Sequence, residues 1–212
     1  MKTALIIGNG EEIGKNIIEN LNFDYIICAD GGLDKAKKYG IVPDIIIGDF
    51  DSVNLSVLKQ YEILNIPIEK FPSEKDSTDM ELAVEFAISK GYNNIILTGA
   101  TGSRLDHTLG NIMLMERCFK IGVIITIIDN NNEMKIISDN TDLIIDNKEG
   151  YYISIIPVTD FILGLNLDGF KYNLKNVNVQ RGSTLLISNQ ITGSNGRIIL
   201  NEGTAIVFIS KD

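Results

Sequence analysis

Apolar positions follow two rhythms along this chain. Up to residue 129, short apolar and β-branched runs at 3–7, 25–29, 45–47, 66–70, 94–98 and 123–128 alternate with amphipathic stretches. Near-continuous apolar runs of this length suit strands buried on both faces. The clearest amphipathic stretch covers residues 77–90. Met80, Ala83, Val84, Ala87 and Ile88 recur there at helical spacing, and Gly91 is placed to end the helix. A second helix is predicted over Leu105–Phe119, with Leu105, Leu109, Ile112 and Met113 on one stripe. Strands alternating with helices predict an α/β fold, a mostly parallel sheet with helices on its faces.

After residue 129 the rhythm shortens. Asp129-Asn130-Asn131-Asn132 is polar and turn-prone, and it divides the chain into residues 1–129 and 130–212. Strand-like segments follow at 143–145, 152–157, 184–188, 197–200 and 205–209. Turn signals at 147–150, Asp168-Gly169, Arg181-Gly182 and Glu202-Gly203 separate them. That spacing predicts a small all-β sandwich or barrel. The many asparagines read as compositional bias.

Composition narrows the functional classes. With 212 residues and 44% hydrophobic content, a real core is expected. No apolar run approaches the roughly 20 residues of a membrane-spanning helix, and no signal peptide is read at the start, so the expected location is cytoplasmic. Net charge is −9, which argues against a nucleic-acid partner, since that needs a basic face. It does not argue against a nucleotide held with divalent cations, where carboxylates are the expected ligands. Cys28 and Cys118 lack a CxxC partner and read as reduced core thiols. His107 is the one histidine, so a His-based zinc site or a Ser-His-Asp triad would have to use it, which narrows the chemistry.

Four segments carry candidate chemistry, each after a strand-like run. In Gly48-Asp49-Phe50-Asp51-Ser52, residues i and i+2 of an extended chain point the same way. Asp49 and Asp51 would then aim two carboxylates at one point, with Phe50 turned into the core. Two like charges there repel unless a cation lies between them, and Mg2+ carrying ATP phosphates fits. A turn whose acids cap backbone amides would use the same residues. Asp30-Gly31-Gly32 ends another strand; its glycines permit close approach to a ligand, and Asp30 would face the crevice of Asp49. In Lys75-Asp76-Ser77-Thr78-Asp79, Asp76 or Ser77 can cap the helix, and Ser77 and Thr78 can also serve phosphate. Gly99-Ala100-Thr101-Gly102-Ser103-Arg104-Leu105-Asp106-His107 frees backbone around a ligand and offers the planar fork of Arg104. It lacks the spacing of a P-loop. His107 reads as ordering this loop in preference to acting as a base.

In this order and spacing, these segments resemble the thiamine pyrophosphokinase (thiamine diphosphokinase) family. Gly169-Phe170-Lys171-Tyr172-Asn173-Leu174 and Leu186-Ile187-Ser188-Asn189-Gln190 are similar to that family's two later signatures, so the resemblance covers nearly the whole chain. It implies a Rossmann-like domain, a β-sandwich domain and a homodimer. It implies ATP and Mg2+ in the acidic crevice, and thiamine held between the first domain of one subunit and the second domain of the other. Asp49, Asp51 and Asp79 correspond to the catalytic, metal-binding acids, with Asp30 beside them. Gly31, Ser77, Thr78, Thr101, Gly102, Arg104, Asp106 and His107 fall on the ATP side, and Ser188, Asn189 and Gln190 on the thiamine side. The chain departs from the family in having Gly102-Ser103 for Gly-Gly before the arginine, and Gln190-Ile191 for Glu-Phe. The implied reaction moves a diphosphoryl group from ATP to the thiamine hydroxyl, leaving AMP. A different Mg-ATP transferase or phosphohydrolase, or a non-catalytic thiamine sensor, would use the same acids differently.

Overall fold

The first half of the chain alternates strand and helix as its apolar rhythm predicts. In the computed structural model, which describes residues 2–51, 53–72 and 76–212, the strands are β1 (Thr3–Ile7), β2 (Tyr25–Ala29), β3 (Ile45–Gly48), β4 (Ile68–Lys70), β5 (Asn94–Thr98) and β6 (Ile124–Ile128). The helices are α1 (Lys15–Glu19), α2 (Gly32–Tyr39), α3 (Leu55–Ile63), α4 (Asp79–Ser89) and α5 (Leu105–Phe119). The strands lie parallel in the order β4-β3-β2-β1-β5-β6. The chain steps outward from β1 to β4, then returns to β5 on the other side of β1. Such a reversal opens a crevice beyond the carboxyl ends of the two strands.

Register sets what lines that crevice. Ile7 pairs with Cys28 and with Thr98, and Ala29 pairs with Ile47. The chain therefore leaves β1, β2, β3 and β5 at one edge, as Gly8, Asp30, Asp49 and Gly99. Helix α4 buries Met80, Ala83, Val84 and Ala87 as its spacing predicts. Its cap is Thr78, whose hydroxyl accepts from the Glu81 amide at 3.2 Å, in place of Asp76 or Ser77. Helix α5 has the predicted bounds but turns a different face inward. Leu114, Met115 and Cys118 are buried, whereas Leu105 is 77% exposed and Leu109 and Met113 are exposed with it. The polar Thr108 and Asn111 sit on the inward side near the N-terminus, held by hydrogen bonds to the loop after β5. Polar contacts, not apolar periodicity, thus set the rotation of this helix.

Contacts divide the chain into Met1–Asn130 and Asn131–Asp212. In the second unit, β13 (Ala205–Ser210) pairs antiparallel with β7 (Asn132–Ile137) and β9 (Tyr152–Pro157). A four-stranded antiparallel sheet runs β11-β10-β12-β8, from β8 (Thr141–Asp146), β10 (Phe161–Asp168), β11 (Leu174–Gln180) and β12 (Asn195–Leu200). Ile153, Ile155, Val207 and Ile209 from the first set meet Ile162, Leu165, Ile198 and Leu200 from the second in one core. The segment 184–188, predicted as a strand, forms turns. It is pinned to β9 by the Ile155 amide donating to Leu186 and by Asn189 exchanging bonds with Ile153. The unpredicted β10 and β11 are irregular, with register shifts between Ile162 and Leu167. Asparagines stabilise that bulge: Asn178 accepts from the Gly164 amide at 3.0 Å and Asn166 from the Asn176 amide at 2.9 Å. They do more than reflect composition.

Candidate active site

The acidic pair after β3 converges, but by a different route from the extended one expected. Phe50 has φ +65°, in the left-handed region, and is buried in the core with Leu33, Ile46 and Val57. Left-handed backbone costs a non-glycine residue about 1–2 kcal/mol. Burying a phenyl ring returns roughly 1.5–3 kcal/mol, so the core can hold the strained turn. The turn folds back on itself, and the Asp51 amide donates to the Asp49 carboxylate at 3.2 Å. Asp30, also left-handed at φ +46°, is only 8% exposed and donates its amide to Ile47 at 2.8 Å. Among the described residues, Asp30, Asp49 and Asp51 form one group whose carboxylate oxygens lie within 4.8 Å of one another. Asp49, then burial, Asp30 and Asp79 hold the Asp51 carboxyl above its ordinary range. That is the signature of like charges gathered in one place. Hard oxygen donors in this arrangement fit a small divalent cation.

Asp79 stands outside this trio. It opens α4 and lines, with Asp30, a cavity of about 880 Å3 at the carboxyl edge of the sheet. The cavity walls are the loops after β1 and β5, together with Thr78, Thr101, Gly102, Arg104 and His107. Gly99 brings the two loops together: its φ is +62°, and a Cβ there would stand 2.3 Å from the Gly8 carbonyl oxygen. Thr101 is turned inward and donates its hydroxyl to Asp129 at 2.9 Å. Gly102 is held by Thr108 at 3.2 Å. Arg104 forks onto Asp106 at 3.2 and 2.6 Å, and that bond holds the Asp106 carboxyl at about 2. Asp106 and His107 border an adjoining groove between α4 and α5.

Some expected site residues stand elsewhere. Gly31 and Gly32 are packed closely against protein and do not line the cavity. A Cβ on Gly32 would lie 1.9 Å from the Ile7 carbonyl, and one on Gly31 would collide with Asn9. Ser77 is half-buried and does not line the cavity. Ser52 and Lys75 lie outside the described residues. Conversely, the loop Gly8-Asn9-Gly10-Glu11 and Asn111 line the cavity without having been expected to. The signal for the loop was available: glycines directly after the first strand of an α/β chain.

In the second unit, Ser188 is exposed with φ +58° and its amide donates to Ser154 at 2.9 Å. Asn189 is buried. Its side chain accepts from the Tyr172 amide at 3.1 Å and the Gln190 amide at 2.9 Å, and donates to the Tyr172 carbonyl at 2.8 Å. Asn189 therefore clasps the turn that presents Tyr172, whose side chain is 62% exposed. Gln190 accepts from the Lys171 amide at 2.7 Å. The two later signatures thus form one surface.

Known proteins converge on the same chemistry. The profile of the thiamin pyrophosphokinase catalytic domain matches residues 18–127, and that of the thiamin pyrophosphokinase vitamin B1 binding domain matches residues 139–204. Thiamine pyrophosphokinase of Bacillus subtilis is 35% identical over the full length of both chains. The crystal structure of the Bacillus subtilis enzyme superposes with a TM-score of 0.90 at 33% identity, covering all of both chains. That of the Geobacillus thermodenitrificans protein gives 0.85 at 31% identity, covering 100% of this chain and 98% of the other. With both halves of its length accounted for, the chain belongs to the thiamin pyrophosphokinase family, enzymes that transfer a diphosphoryl group from ATP to thiamine.

Proposed function

We propose that the first unit is a Rossmann-like catalytic domain that binds Mg-ATP in the cavity beyond β1 and β5, and that the second is a β-sandwich that presents thiamine. The reading also has the enzyme working as a cytoplasmic homodimer, with thiamine held between the first domain of one subunit and the Ser188 surface of the other. The observation that carries the proposal is the gathering of Asp30, Asp49 and Asp51 next to a cavity walled by glycine-rich loops and Arg104.

Asp49 and Asp51, with Asp30 gathered beside them and Asp79 from the cavity wall, would hold Mg2+, which would neutralise phosphate charge. The chain's own groups do the rest. The loops after β1 and β5 give backbone to the nucleotide. Arg104, already ionised against Asp106, shares its fork with phosphate. The thiamine hydroxyl attacks the β-phosphorus in line; the bond to the α-phosphate oxygen breaks, and AMP leaves. The hydroxyl proton passes to a carboxylate of the cluster. Positioning and charge neutralisation suffice, since no covalent enzyme intermediate is required.

The test is direct. Protein incubated with Mg-ATP and thiamine should yield AMP and thiamine diphosphate in equal amounts. ADP as the sole nucleotide product, or ATP loss independent of thiamine, would overturn the reading in favour of a kinase of another type or a phosphohydrolase.

A further inference from the structure

Helix α2 carries a lysine beneath the nucleotide crevice. Lys35 is 8% exposed. Its ammonium donates to the Gly8 carbonyl at 3.1 Å and to the Gly10 carbonyl. Gly8 and Gly10 in turn donate their amides to Thr98 at 2.8 Å and Gly99 at 2.7 Å. A Cβ on Gly99 would lie 3.3 Å from the Lys35 nitrogen. The cation therefore sits at the seam between the two loops that wall the cavity.

Burying an ammonium is costly, and two neutral carbonyls recover only part of that cost. The acids acting on Lys35 are Glu12 and Glu11, both from the loop after β1. Glu12 is already ion-paired to Lys38 one turn further along α2. Burial wins, and the amine titrates at about 8. A positive charge is thus kept, under-compensated, directly behind a cavity whose proposed occupant is a polyanion.

We infer that Lys35 is a positioning residue for the nucleotide: its ammonium braces the Gly8–Gly10 loop, whose amides join it to the loop after β5, and places a fixed positive charge behind the phosphate-binding surface. The inference rests on the reading of the cavity as the ATP site. The ammonium form is the competent one. Binding is then complete well below pH 8 and weakens as pH rises through that value. Adenosine, which has no phosphates, gains nothing from the charge.

The test uses the full chain with Mg2+ present. Lys35→Met keeps the length of the side chain and removes its charge. It should weaken ATP binding at least tenfold, while adenosine binding and the KM for thiamine change less than twofold. Lys35→Arg should retain most of the ATP affinity. The wild-type KM for ATP should climb between about pH 7 and 9.5, and Lys35→Met should lack that climb. ATP binding by Lys35→Met within twofold of wild type overturns the inference alone. So does a parallel loss of ATP, adenosine and thiamine, which marks a merely structural lysine. If Lys35→Met does not fold, a flat wild-type KM for ATP across that pH range overturns it. A wild-type protein that binds no ATP overturns the nucleotide reading, and this inference with it.

Discussion

At the scale of single residues, the cluster depends on carboxylates held closer than their charges favour. Asp49 is the main cause of the raised Asp51 carboxyl. Asp49→Asn should therefore return Asp51 toward its ordinary range, which carboxyl NMR titration would register. Turnover should fall about 100-fold or more through loss of a metal-facing charge. Retained activity in Asp49→Asn would remove that residue from the site. The acids themselves were legible as a DxD after an apolar run. Their mode of convergence was not. It depends on the left-handed Phe50, whose ring is held by α2 and α3 side chains remote in sequence. Lys35 was illegible for a related reason: one lysine in Asp34-Lys35-Ala36-Lys37-Lys38 looks like its neighbours until the fold buries it.

At the scale of elements, the loop 184–190 shows how a β-rich run can fail to become a strand. Its apolar residues lie beside β9, but the left-handed Ser188 breaks the extension and Asn189 spends its side chain on the Tyr172 turn. Asn189→Ala would leave those backbone groups without their buried partner, at a cost of about 1–3 kcal/mol. Urea denaturation should show that loss. Steady-state kinetics should show a KM for thiamine raised about tenfold, with the KM for ATP within twofold. Equal shifts for both substrates would reduce Asn189 to a fold determinant. Helix α5 makes the complementary point. The stripe Leu105, Leu109, Ile112 and Met113 predicts it with the bounds observed, yet Leu105, Leu109 and Met113 stay on the surface because Thr108 and Asn111 bind the loop after β5.

At the scale of the whole molecule, the proposed homodimer makes a quantitative prediction. If each site draws Asp49 from one subunit and Ser188 from the other, two inactive variants can complement. Mixing Asp49→Asn with Ser188→Phe under conditions of subunit exchange should restore about a quarter of wild-type activity. Half of the dimers are then mixed, and each mixed dimer carries one intact site. No recovery, with exchange verified by mass spectrometry, would place both residues of a site in the same chain or separate Ser188 from the site. No helix among the described residues is long and apolar enough to cross a membrane.

What the amino-acid order determined by itself is what local spacing can encode. Six apolar runs became parallel strands, two helices appeared over the stretches where they were predicted, and an ordered set of short motifs named the family. Those features depend on neighbours within a few residues. Tertiary structure decided which acids share one space, since the oxygens of Asp30, Asp49 and Asp51 meet only because Ala29 pairs with Ile47 across the sheet. It also decided that Gly32 faces the Ile7 carbonyl and that Lys35 lies under the first loop. Register and burial are properties of pairs distant in the chain, and no local pattern carries them.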